Sequence, residues 1–126
     1  MKYLSEYMEE RQTQLFNETN SFFAFSMEQF NEQKKEGITY VNLGHGMICD
    51  KRHVKALLDG LDTIYKDSIA LDLKENGKEN VTKRELSNHE CYYTGDISPD
   101  CVDALKDYGI NEEYIRQVYY NNLKNQ

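Results

Sequence analysis

Tryptophan is absent from this sequence, and a single proline, Pro99, stands in its 126 residues. No Pro-, Gly- or Ser-rich stretch therefore marks a linker between domains. Cysteine is scarce as well. Cys49, Cys91 and Cys101 are an odd number at irregular spacings, which excludes a disulfide framework. No apolar run approaches the ~18 residues of a membrane span, and the opening MKYLSEYMEERQ lacks the apolar core of a secretion signal. Cations are the minority charge: 15 Lys and Arg against 22 Asp and Glu leave a net charge of −7. Binding through nucleic-acid phosphates or to an anionic membrane needs a basic face, so neither partner is expected. The reading is one domain over residues 1–126, cytoplasmic, with reduced thiols.

What the chain does have is aromatic bulk. Ten Tyr and five Phe offset a hydrophobic fraction of only 39%, because each ring buries a large area. Leu4, Tyr7, Met8, Leu15 and Phe16 recur at helical spacing over residues 2–18. Phe22, Phe23, Ala24 and Phe25 follow, and the reading buries them largely. Ser26 and Gln29 form a capping box for a helix to about Glu36, closed by Gly37. Ile38–Leu43 and Met47–Cys49 flank Gly44, His45 and Gly46 as a β-hairpin, which must lie on helices to be stable. Asp50 caps the longest helix, whose stripe runs through Val54, Leu57, Leu58, Leu61, Ile64 and Tyr65. Gly60 in that stripe marks a close helix contact or a mild kink. Lys74 to Val81 reads as a polar, mobile loop. Thr82 and Glu85 read as a second capping box for a helix reaching about Tyr92. Ser98 before Pro99 opens a short helix, and Asn111 caps the last one. The expected fold class is α+β, predominantly helical, with five to six helices and one short β-hairpin.

The densest polar segment is Asn88-His89-Glu90-Cys91-Tyr92-Tyr93-Thr94-Gly95-Asp96. It can bind a ligand or partner through Asn88, His89, Glu90, Tyr92, Tyr93 and Asp96, with Tyr119 and Tyr120 as further contact residues. The favoured alternative is bracing, in which these side chains bond the local loop carbonyls and Cys91 fills core. His89 and Cys91 lie two residues apart and point away from each other on a helix, so they do not pair as base and nucleophile. No catalytic set is assigned. His45, Cys49 and His53 cross a turn, a strand and a helix start, and no C-x-x-C or H-E-x-x-H spacing exists, so no metal and no cofactor are expected. The C-terminal helix pair is a poor helix-turn-helix, with Arg116 and Lys124 its few cations. Glu6, Glu9, Glu10, Glu28 and Glu32 can align as a negative stripe that imitates a phosphate backbone; a solvated helix face is the commoner meaning of such a run.

Two blocks, Phe23-Ala24-Phe25-Ser26-x-x-Gln29-Phe30 and Asn88 to Asp96, resemble blocks of a functionally uncharacterised family of small phage- and prophage-encoded proteins. The resemblance spans about residues 20–120 and implies a setting: small acidic phage proteins often inhibit or adapt a host protein, anti-CRISPR proteins among them. The expected function is accordingly a non-enzymatic accessory protein that binds a host or defence-system protein, with homo-oligomers possible. The alternative is a small-molecule or nucleotide-binding protein using residues 88–96, with weak hydrolytic activity.

Overall fold

The structure, a computed structural model, describes residues 1–124. It is predominantly helical with a small antiparallel sheet, as expected, and among the described residues it holds seven α-helices. In order these are α1 (Leu4–Glu18), β1 (Phe22–Phe23), α2 (Met27–Gln33), β2 (Tyr40–Asn42), β3 (Met47–Asp50), a 3₁₀ turn (Lys51–His53), α3 (Val54–Asn76), α4 (Lys78–Asn88), α5 (Cys91–Thr94), α6 (Pro99–Lys106) and α7 (Glu112–Lys124). Contacts group the chain into two compact units: residues Ser5–Asp67, and Met1–Leu4 with the residues from Ser68 on. Among the described residues no helix is long and apolar enough to cross a membrane.

In the first unit the expected hairpin is present, with Tyr40 opposite Asp50 and Val41 opposite Cys49. Its turn works because Gly44, His45 and Gly46 all take positive φ, and Met47 N–H closes it onto the Gly44 carbonyl at 3.0 Å. A third strand, β1, adds to β3 with Phe22 opposite Ile48 and Phe23 opposite Met47. It arises where α1 ends: the Thr19 hydroxyl returns to the Leu15 carbonyl at 2.8 Å, and Asn20 turns through a positive φ. Side chains of α2 meet the free edge of β1 and the chain just beyond it: Gln33 donates to the Phe23 carbonyl at 2.8 Å, and Gln29 accepts from Phe25 N–H at 2.7 Å. Gln29 thus reaches one residue beyond the partner a capping box gives it, while Ser26 Oγ accepts from Gln29 N–H as read.

Asp50 caps the 3₁₀ turn that leads into α3 and is almost wholly buried. The hydrogen bond from the Arg52 side chain holds its carboxyl well below the usual carboxylate range against the opposing pull of burial; Arg52 N–H and Asn20 assist. Gly60 marks a close helix contact. A Cβ there sits 2.8 Å from the Leu15 methyls of α1. The tips of Leu15 can shift for one methyl, and alanine gains about 1 kcal/mol of helix propensity, so Gly60→Ala is expected to leave stability nearly unchanged. Gly60→Val adds branches that Leu15 cannot clear and costs about 1–3 kcal/mol. Urea midpoints of the two variants check this, and equal midpoints contradict it.

In the second unit Leu86, Cys91, Cys101, Leu105 and Ile115 are fully buried. The supposed loop at 74–81 is a correction: α3 runs to Asn76, only Gly77 interrupts, at φ 81, and α4 begins at Lys78. Thr82 is not a cap either. It lies inside α4, and its hydroxyl donates to the Lys78 carbonyl at 2.8 Å. The polar letters of this stretch conceal a buried ion pair. Arg84 forks onto Asp72 with bonds of 2.9 and 2.8 Å, Tyr108 Oη donates to Asp72 at 2.6 Å, Asn76 donates at 2.7 Å, and Arg84 also reaches the Lys2 carbonyl at 3.0 Å. Burial alone pushes the Asp72 carboxyl up; the bonds from Arg84, Tyr108 and Asn76 outweigh it, and the carboxyl ends below its ordinary value.

Both Asp50 and Asp72 therefore have depressed folded-state pKa values. A depressed carboxylate adds stability above the unfolded pKa, about 4, and loses it as pH falls through the folded value. The melting temperature is expected to hold above about pH 5 and drop progressively below pH 4. A thermal-melt series by circular dichroism checks this, and a melting temperature that rises on acidification contradicts it.

Candidate interaction surface

Of the residues expected to form a site at 88–96, His89, Tyr92 and Asp96 make contacts within the second unit, while Asn88, Glu90 and Tyr93 are exposed. Asn88 is the exposed last residue of α4, and His89 caps it with Nε2 3.5 Å from Glu85. Glu90 is exposed and turns the chain through φ 55, which breaks the single helix expected to reach Tyr92. Asp96 accepts from Ile97 N–H at 2.9 Å and so pins its own turn. The Tyr92 ring stacks on Tyr119 at 5.2 Å, and Tyr120 meets Tyr119 edge-on, also at 5.2 Å. Tyr119 is buried, with its hydroxyl directed at the Cys91 carbonyl; burial pushes its pKa up, with Tyr120, Cys91 and Asp96 adding to the shift. Neither Tyr119 nor the half-buried Tyr92 is free to meet a partner. Tyr93, 90% exposed, and Tyr120 are.

Cys91 is fully buried beside Cys101, whose thiol burial and the neighbouring Cys91 push up to about 12. A thiol that remains protonated at neutral pH is a poor nucleophile. His45 is in the exposed hairpin turn, Cys49 is buried against the Asp50 carbonyl at 3.3 Å, and His53 lies 3.9 Å from Asp50. Among the described residues no cluster of three or more His, Cys, Asp or Glu has the arrangement of a metal site.

A different surface emerges in the first unit, where the reading had buried Phe22 to Phe25. Side chains alternate along a strand, and the aromatic run therefore divides between two faces. Phe22 turns to Phe30 and Tyr40, at 6.0 and 5.3 Å, and forms an aromatic trio with them. Phe23 turns the other way, 5.1 Å from Phe16, and Phe25 extends the row in a parallel stack 6.2 Å from Phe23. This second row is not covered: Phe23 is 50% exposed, Phe25 73% and Met27 72%. The Phe25 ring rests on Gly46, where a Cβ collides with it. Gly46 thus serves the surface as well as the turn. The doublet Phe22-Phe23 in so short a strand was the available signal, since two adjacent rings on opposite faces need two covers.

Two hollows open beside the row. One, of about 570 Å³, is lined by Phe25, Met27, Phe30, Tyr40 and Ile48. The other, of about 680 Å³, lies between α1 and β1, with Phe16, Phe22, Phe23, Met47 and Leu61 as its apolar lining and Glu9 among its polar residues. Glu9 also joins Glu10, Thr13 and Gln14 along a shallow acidic shoulder. Glu6, Glu28 and Glu32 are exposed but line neither hollow nor the shoulder; of the expected stripe Glu9 lines the second hollow, and Glu10 joins it on the shoulder.

The model of DUF7659, a family of unknown function, matches residues 4–125. No curated protein and no solved structure matches the chain.

Proposed function

We propose that this chain, which belongs to DUF7659, is a non-enzymatic accessory protein that docks onto another protein through Phe23, Phe25 and Met27. The observation that carries this reading is the exposure of a stacked aromatic pair beside carboxylates. Large exposed apolar patches are uncommon on a surface with no partner, and rings that are already ordered by stacking lose little freedom on binding, as contact anchors should. The neighbouring carboxylates oppose a nucleic-acid phosphate and favour a basic protein surface. The resemblance of two sequence blocks to phage-encoded proteins supplies the setting. In it the chain acts in the host cytoplasm, and its partner is a host or defence-system protein that it inhibits by occupying a functional surface, in the manner of an anti-CRISPR protein.

The test is affinity capture from a host lysate with the native chain and with the Phe23→Ser, Phe25→Ser double variant side by side. The reading expects a protein retained by the first and lost by the second. Capture that both retain equally contradicts the assignment of this surface. The small-molecule alternative at 88–96 gains no support from the geometry, because His89, Glu90, Tyr93 and Asp96 line neither of the hollows described.

A further inference from the structure

We infer that the hollow between α1 and β1 receives a basic, apolar segment of the partner: a large aliphatic or aromatic side chain on Phe16, Phe23, Met47 and Leu61, with a nearby Lys or Arg set over Glu9 and Glu10. The inference rests on the docking role just proposed and names the chemistry that the role selects.

Three observations converge on this occupant. First, α1 is 15 residues long and has no buried residue, although its apolar positions recur at helical spacing. Such a helix is stabilised by packing its apolar face. Leu15 packs on Gly60, while Phe16, on the other side of α1, meets Phe23 at 5.1 Å and remains half-buried in the wall of the hollow. Second, positions 9, 12, 13, 16 and 17 of α1 share one face, and all five line the hollow. The wall therefore changes along a single helix from carboxylate to ring. An entering segment must match apolar at one end and positive at the other. Third, neither the hollow nor the acidic shoulder is lined by any Lys or Arg, so the carboxylates there are not answered from within the lining.

Other occupants fit less well. A second copy of the chain, seated on this hollow about a two-fold axis, sets Glu9 and Glu10 against their own counterparts. A nucleic acid sets phosphates there. Strand addition by a partner on the outer edge of β1 must displace Gln33 from the Phe23 carbonyl at 2.8 Å and Gln29 from the Phe25 N–H just beyond the strand at 2.7 Å. Recognition is thus by side chains entering the hollow, with the partner segment laid across α1.

A random-peptide display library selected on the intact chain tests this directly. The enriched sequences should carry Lys or Arg close to a large apolar residue. The best peptide should bind about 3- to 10-fold more weakly to the Glu9→Gln, Glu10→Gln variant and about 30-fold or more weakly to Phe23→Ser. Raised salt should narrow only the first difference. Enrichment of acidic peptides, or of none, overturns the inference. So does a native chain that sediments as a dimer which Phe23→Ser dissolves, for then the occupant is a second copy. A peptide lost by Phe25→Ser and indifferent to Glu9 and Glu10 overturns it too, while leaving the aromatic docking role in place. That role falls only if partner capture survives the loss of both rings.

Discussion

Replacing Arg84 with Met lowers the unfolding free energy by about 3–5 kcal/mol, a drop of roughly 10–25 °C in melting temperature for a chain of this length. The magnitude follows from what is left behind. Asp72 is fully buried, and without the guanidinium it retains only Tyr108 and Asn76 as donors, at 2.6 and 2.7 Å. A buried carboxylate stripped of its counter-charge must either remain ionised in a poorly solvating interior or take up a proton, and both are costly. The same substitution moves acid unfolding to higher pH, because the group that held the Asp72 carboxyl down is gone. The double variant Asp72→Leu, Arg84→Met buries no charge and is expected to recover much of the loss. The coupling between the two positions in a double-mutant cycle should exceed about 1 kcal/mol. Urea denaturation of the four proteins gives that number, and simple additivity contradicts a coupled pair.

The second large effect is on binding. Phe23→Ser with Phe25→Ser is expected to weaken partner binding about 30-fold or more, since buried aromatic anchors are commonly worth 2 kcal/mol and above at an interface. Stability should fall by only about 1–2 kcal/mol, because the rings are 50% and 73% exposed and forfeit partial burial alone. That separation is the point of the variant: a binding loss that outruns the stability loss identifies a contact surface, whereas a parallel loss of both identifies misplaced core. Tyr93→Ser with Tyr120→Ser supplies the contrast. Those rings are exposed but stand on α5 and α7 of the other unit, and binding should persist.

The helix caps were legible because each acts over three or four residues. Ser26 accepts from Gln29 N–H, Ser98 from Cys101 N–H and Asn111 from Tyr114 N–H, as their spacing indicates. The hairpin around Gly44 to Gly46 was legible for the same reason. What escaped the sequence is what distant segments decide. Thr82 and Glu85 have the spacing of a capping box, yet Gly77 lets α4 start one turn earlier and leaves Thr82 in its interior. Nothing in the local sequence around Arg84 or Asp72 marks them as a buried pair. They are paired and buried because Tyr108, 24 residues beyond Arg84, closes over them. The site was missed through the same limit. Hydrophobicity says that Phe22 to Phe25 belong inside, but strand alternation sends Phe22 to Phe30 and Tyr40 and leaves Phe23 and Phe25 on a face that Phe16 and Gly46 cover only in part.

The most direct measurement places a photo-cross-linking benzoylphenylalanine at position 25 in one protein and at position 93 in another, each irradiated with host lysate. The aromatic surface predicts a discrete adduct from position 25 and none from position 93. An adduct from position 93 alone contradicts the account and returns the contact to the Asn88–Asp96 segment.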